Sequence, residues 1–199
     1  MRAVFFDLDG TLLEFTRGYG ELLADAFRAV EGEVRPEWVE RYDEAFFEVL
    51  EDCGPEPYRR GFAAAGADAE PETLVAALRE AEIEATRPPE EARSTLEDLG
   101  EQYSLGVLTN GTPEWQTDKL RAHGLESHFD AVVTSYDAGA HKPDAAVFRL
   151  AEERLPAERY AMVGDDPAAD VQGARNAGWT AHEYDGDGFG DLPGALDWR

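Results

Sequence analysis

The stretch Ala3-Val4-Phe5-Phe6-Asp7-Leu8-Asp9-Gly10-Thr11 constrains the fold more than any other part of the chain. Four apolar residues in a row suit a strand buried on both faces of a parallel sheet. Asp7 ends the run and Asp9 follows two positions on, so a continuing strand would turn both side chains the same way. Open α/β sheets bind ligands outside the carboxyl ends of their strands, which is where this pair stands. Two close carboxylates repel each other unless a cation or a proton lies between them. The stretch therefore asks for Mg²⁺, or for one carboxyl kept as an acid. Taken alone, the same residues read more simply as a strand followed by an Asp-Gly turn. The later apolar runs, which also end in polar residues, decide against that simpler reading.

Between Thr11 and Pro88 the apolar spacing is helical throughout, with no strand pattern. Helices are expected from Tyr19 to Val30, from Pro36 to Leu50, from Arg59 to Gly66 and from Pro71 to Thr86. A crossover between parallel strands needs only one helix, so this segment reads as an inserted helical unit over 15–88. The remainder, 1–14 and 89–199, reads as the α/β core. After a helix from Pro89 to Leu99, strands are expected at Ser104–Leu108, Ala131–Val133 with Thr134, Tyr160–Val163 and Trp179–Tyr184. Helices lie between them: Pro113 to His123, Asp144 to Arg154 with Pro143 in its first turn, and Ala168 to Ala177. Asp137 to Lys142 reads as a loop, and the tail from Asp185 as irregular. Strand–helix alternation of this kind predicts a doubly wound parallel sheet.

At 199 residues and 43% hydrophobic content the chain can bury a real core. Against 18 Lys and Arg stand 43 Asp and Glu, for a net charge of −25. A field of that sign rejects nucleic acid and anionic membrane surfaces. Only Lys119 and Lys142 are lysines; every other basic residue is Arg. An acid-rich, lysine-poor surface suits a protein from a halophile, where salt screens self-repulsion; an ordinary acidic cytosolic protein is the alternative. Cys53 is the sole cysteine, so no intrachain disulfide forms. With no signal-peptide pattern and no membrane-length apolar run, a soluble cytoplasmic protein is expected, as a monomer or homodimer.

Four polar sites fall at or after strand ends: Asp7 with Asp9, Thr109 with Asn110, Lys142, and Asp165 with Asp166 and Asp170. A carboxylate nucleophile, a hydroxyl beside backbone amides, a cation and further carboxylates make a kit for phosphoryl transfer. Lys142 precedes a proline in a chain nearly free of lysine, and a compact ammonium suits a crowded anionic site. Lys119, in mid-helix with no motif around it, reads as a surface residue. Trp115 reads as core, His141 as a loop residue, and Arg17, Arg59 and Arg60 as solvated.

In that order, Asp7-Leu8-Asp9-Gly10-Thr11, Thr109-Asn110-Gly111, Lys142-Pro143 and Gly164-Asp165 with Asp170 resemble the motifs of the haloacid dehalogenase superfamily, in its phosphatase-like branch with a helical cap. The resemblance spans Ala3 to Gly178. It implies a Rossmann-like core, a Mg²⁺ cofactor and a small phosphorylated metabolite as substrate. It implies Asp7 as nucleophile and metal ligand, and Asp9 as acid, then base, with its backbone carbonyl on the metal. It further implies Thr109 and the Asn110 amide on the phosphoryl group, Lys142 offsetting charge, and Asp165 completing the metal site. A 2-haloacid dehalogenase and a phosphomutase share the fold, and a binding module without catalysis is the remaining reading. The second acid, Asp9, favours the phosphatase over the dehalogenase, which has no use for it.

Overall fold

The computed structural model describes residues 1–196. The chain divides into two compact units: Met1–Glu14 with the chain from Pro88 onward, and Phe15–Arg87. The last three residues of the expected core range lie outside the described residues. In chain order come β1 (Arg2–Phe6), β2 (Glu14–Phe15), then helices α1 (Tyr19–Glu31), α2 (Pro36–Glu51), α3 (Pro57–Ala65) and α4 (Pro71–Ala85). β3 (Thr86–Arg87), α5 (Ala92–Gly100), β4 (Ser104–Thr109), α6 (Pro113–Ala122) and β5 (Ala131–Thr134) follow. Next are α7 (Ser135–Ala138), α8 (Ala145–Arg154), β6 (Arg159–Gly164), α9 (Gly173–Asn176), β7 (Thr180–Glu183) and α10 (Leu192–Ala195).

The core unit is an α/β fold around a five-stranded parallel sheet in the order β5-β4-β1-β6-β7. β1 takes the centre because its apolar run satisfies both faces. Val4 and Phe6 pack with Leu96, Val107 and Val163 on one side, while Ala3 and Phe5 pack with Leu108, Phe148, Met162 and Trp179 on the other. Both phenylalanines are fully buried, each contributing about 1.5–3 kcal/mol by leaving water. Register places Phe6 beside Val107 of β4 and Val163 of β6. The chain ends of β4, β1 and β6 are thereby brought side by side. At Gly106 a Cβ would lie 2.3 Å from the Phe5 ring, so β4 needs glycine there to sit against β1.

The helical unit has its own aromatic core. Tyr42 and Phe62 rings lie 4.5 Å apart between α2 and α3, and Phe27 of α1 meets the Phe62 edge at 5.4 Å. Gly61 permits this approach, since a Cβ there would sit 2.8 Å from the Tyr42 ring. The Tyr19 and Tyr42 hydroxyls share a hydrogen bond of 2.8 Å. β2 and β3 pair with each other; at two residues each they are too short to leave an apolar pattern in the sequence.

Four local expectations are corrected. Pro143 is not in the first turn of α8. Asp144 is the N-cap, with its carboxylate accepting from the Ala146 N–H at 2.8 Å, and the helix opens at Ala145. The expected loop after β5 begins with α7, nucleated by a reciprocal cap between Thr134 and Asp137. The segment after β6 opens as a wide π-type turn over Pro167–Gln172 before α9. The tail is not irregular throughout: Phe189, Leu192 and Leu196 are buried against Ala92, Leu96 and Leu99 of α5, which gives the glycine-rich stretch an apolar anchor. Among the described residues no helix is long and apolar enough to cross a membrane.

Candidate active site

β1 stops at Phe6, so Asp7 and Asp9 lie beyond the ladder and the period of two does not govern them. Their carboxylates find different partners. Asp7 is buried, and its Oδ1 accepts from Lys142 Nζ at 2.7 Å. Lys142 Nζ also donates to the Leu108 carbonyl at 2.8 Å and to Asp170 Oδ1 at 2.6 Å. An ammonium has three donors, and here all three are used. Burial pushes the Asp7 carboxyl up to about 7; Lys142 opposes this, while Asp170 and Asp9 add to it. Burial acts to lower Lys142, but Asp7 and Asp170 outweigh it and hold the ammonium above its ordinary range.

The loop after β4 is braced against the loop after α7. Asn110 Oδ1 accepts from the Lys142 N–H at 2.9 Å, and Asn110 Nδ2 donates to the Lys142 carbonyl at 3.4 Å. The Asn110 side chain thus fixes the backbone that carries the ammonium. Gly111 N–H donates to buried Ser135 Oγ at 2.9 Å, and at φ +144° the loop bends where a side chain would be strained. Thr109 is buried at the end of β4. After β6, Thr11 Oγ1 donates to Asp165 Oδ1 at 3.1 Å. Gly10 takes φ +94°, and a Cβ there would strike Asp165 Oδ2 at 2.3 Å. Asp166 is occupied elsewhere: its Oδ1 caps Ala168 and Ala169 N–H at 2.7 and 2.9 Å, which lowers its pKa.

The carboxylates that gather are Asp7, Asp165 and Asp170, with one oxygen from each within 4.8 Å of the others. The sequence left the part of Asp170 open; it is buried, at 1% exposure, on Lys142. All donors in the cluster are carboxylate oxygens, the hard ligands that suit Mg²⁺ and not Zn²⁺. Two buried ammoniums face the four carboxylates of Asp7, Asp9, Asp165 and Asp170, leaving a formal excess matched by one divalent cation.

Lys119 corrects the sequence reading most sharply. It is not on the surface: it is 2% exposed, and its Nζ lies 2.6 and 2.7 Å from the two oxygens of Asp9. Gln116, one turn earlier on α6, donates from Nε2 to Asp9 Oδ2 at 2.9 Å and to Thr109 Oγ1 at 2.8 Å. The signal was present in the scarcity that flagged Lys142, since both lysines of the chain end on a carboxylate of the first motif. Of the residues weighed as solvated, Arg17 pairs with Asp25 at 2.5 Å and Arg59 with Glu72 at 2.7 Å. Trp115 is core.

Known proteins resemble the chain over most of its length. The model of the haloacid dehalogenase-like hydrolases matches residues 1–178. A glyceraldehyde 3-phosphate phosphatase of Methanothermobacter thermautotrophicus is 34% identical over 192 residues, covering 91% of this chain and 84% of that one. A phosphoserine phosphatase of Thermus thermophilus is 47% identical, but over only 77 residues, 38% of this chain and 31% of its own. Among solved structures, the HAD-hydrolase YfnB of Bacillus subtilis, bound to magnesium, superposes with a TM-score of 0.68 at 25% identity, covering 90% and 86% of the two chains. With its motifs gathered at the ends of β1, β4 and β6, the chain belongs to the haloacid dehalogenase-like hydrolases.

Proposed function

We propose that this hydrolase is a Mg²⁺-dependent phosphatase that cleaves a small phosphate monoester through an aspartyl-phosphate on Asp7. The observation that carries the reading is the surroundings of Asp7: a buried carboxylate with Lys142, Asp165 and Asp170 about it. Phosphatases among its relatives support the same class of reaction. Asp7, Asp165 and the Asp9 backbone carbonyl are the ligands proposed for Mg²⁺, with Asp170 beside them. Bound there, the cation supplies charge neutralisation to Asp7 and to the phosphoryl oxygens.

The chain's own groups do the rest. An Asp7 oxygen attacks phosphorus and the ester P–O bond breaks. The departing oxygen takes a proton from the Asp9 carboxyl. Asp9, now a carboxylate, removes a proton from water; the hydroxide attacks phosphorus, the bond to Asp7 breaks, and inorganic phosphate leaves. The Thr109 hydroxyl and the Asn110 backbone N–H hold phosphoryl oxygens, and Lys142 offsets their charge. The helical unit is read as the cap that selects the metabolite.

The second acid favours a phosphatase over a 2-haloacid dehalogenase, because expelled halide needs no proton. The test is an assay of wild type, Asp7→Asn and Asp9→Asn on an aryl phosphate, an alkyl phosphate and a 2-chloroacid, with Mg²⁺ and with chelator. Asp7→Asn is expected to abolish phosphate release. Asp9→Asn is expected to slow it by about 10²–10⁴-fold, as for a lost general acid–base. Chloride release in chelator, or phosphate release indifferent to Asp9→Asn, overturns the reading.

A further inference from the structure

Asp9 is held on a built support. α6 starts at Pro113 and carries Gln116 and Lys119 three positions apart, which puts both on one face. Both side chains are buried. The Lys119 ammonium meets both Asp9 oxygens, and the Gln116 amide bridges Asp9 Oδ2 to Thr109 Oγ1. A third contact, Gln116 Nε2 to the Asn110 carbonyl at 3.2 Å, ties the same amide to the loop after β4. Burying an ammonium is unfavourable unless a carboxylate faces it. The helix could have carried an apolar residue there at no such cost. The Lys119 side chain is almost fully buried while Asp9 keeps 30% of its side chain open, so the carboxylate is gripped from behind and remains accessible from outside.

We propose that Lys119 and Gln116 are positioning residues for the reaction: they hold the Asp9 carboxylate in one orientation and in register with Thr109. Asp9 and the phosphoryl-binding hydroxyl then move as one piece, through the single amide of Gln116. The inference rests on the phosphatase reading, since it gives a supporting part to the acid–base proposed above. Free, Asp9 would sample its rotamers on a glycine-flanked loop, and a misplaced acid loses most of its rate advantage. Neither residue is assigned a contact with substrate.

The test is a double-mutant cycle on the folded, Mg²⁺-loaded enzyme, using Lys119→Met, Asp9→Asn and both together. Turnover and KM are measured on an alkyl and an aryl phosphate. Lys119→Met is expected to lower kcat on the alkyl phosphate by about 10²-fold, the lower end of a lost acid–base. The expected loss on the aryl phosphate, whose leaving group needs the proton less, is under about tenfold on the same scale. KM should move little, and Lys119→Arg should recover part of the loss by restoring the charge. In the Asp9→Asn background, Lys119→Met should cost nothing further, because the group it positions is gone.

A merely structural Lys119 gives equal losses on both substrates and the same factor in both backgrounds; that result overturns the inference. If circular dichroism shows Lys119→Met unfolded, Gln116→Met removes the bridging amide at similar length, and the same two comparisons decide. Asp9-dependent turnover that ignores both α6 substitutions refutes the positioning alone. Turnover that ignores Asp9→Asn refutes the phosphatase reading, and the positioning falls with it.

Discussion

Lys142→Met is the perturbation that most directly measures the charge balance of the site. Methionine keeps the length and the apolar stem, and removes three donors from Asp7, Leu108 and Asp170. Asp7 and Asp170 are both buried, Asp170 at 1% exposure, so truncating the ammonium leaves two buried carboxyl groups without the cation that faces them. Removing one partner of a buried ion pair costs about 3–5 kcal/mol, and the variant should be less stable than wild type by about that much. Urea unfolding of wild type and variant, in chelator at constant high salt, reads the difference. A loss below about 1 kcal/mol, the scale of an exposed pair, would refute the burial argument.

Gly164→Ala puts a Cβ 2.3 Å from Asp170 Oδ2 and 2.5 Å from its Cβ; overpacking of about 1–3 kcal/mol and lost turnover are expected, and an unchanged thermal midpoint would contradict the packing. The raised Asp7 carboxyl means that the folded, metal-free protein binds more protons than the unfolded chain, so its stability falls as pH rises from about 4 to about 7. Mg²⁺ should relieve this by favouring the ionised group, raising the thermal midpoint more at pH 8 than at pH 5; equal shifts would sink the prediction. With a net charge of −25, the midpoint should climb from low to molar KCl as self-repulsion is screened; a flat or falling profile removes the salt-adapted reading and leaves the chemistry untouched.

What could be read from the sequence divides along a physical line. β1 was legible because a strand buried on both faces must be apolar at every position, as Ala3 to Phe6 are. The four helices of the inserted unit were legible because each buries a stripe, and Pro36 and Pro71 mark their starts. Asp7 and Asp165 could be placed together from the sequence because each follows a strand, and strand ends converge in a parallel sheet; Lys142, beyond α7, was marked by the scarcity of lysine. Gln116 and Lys119 were missed because polar residues in mid-helix look solvated unless the facing element is known. Here that element is the loop after β1, some 110 positions away in sequence. The start of α8 was misplaced for a local reason: Pro143 and Asp144 both signal a helix start, and the Asp144 cap prevailed.

The chain's use of its two lysines ties the acidic surface to the site. An exposed ion pair gains little in water and less in salt, and the surface pairs of Arg17, Arg59 and Arg121 use arginine. Inside, the requirement is different. The pocket around Lys142 presents three acceptors, from Asp7, Leu108 and Asp170, to one point. A rotatable ammonium meets all three, whereas a planar guanidinium spreads five donors over a fixed fork and would leave some of them buried without acceptors. Lys119 places its charge against both oxygens of Asp9, a contact that a guanidinium fork could also make. Each lysine thus stands behind one carboxylate of the first motif, and at Lys142 the three convergent acceptors disfavour arginine.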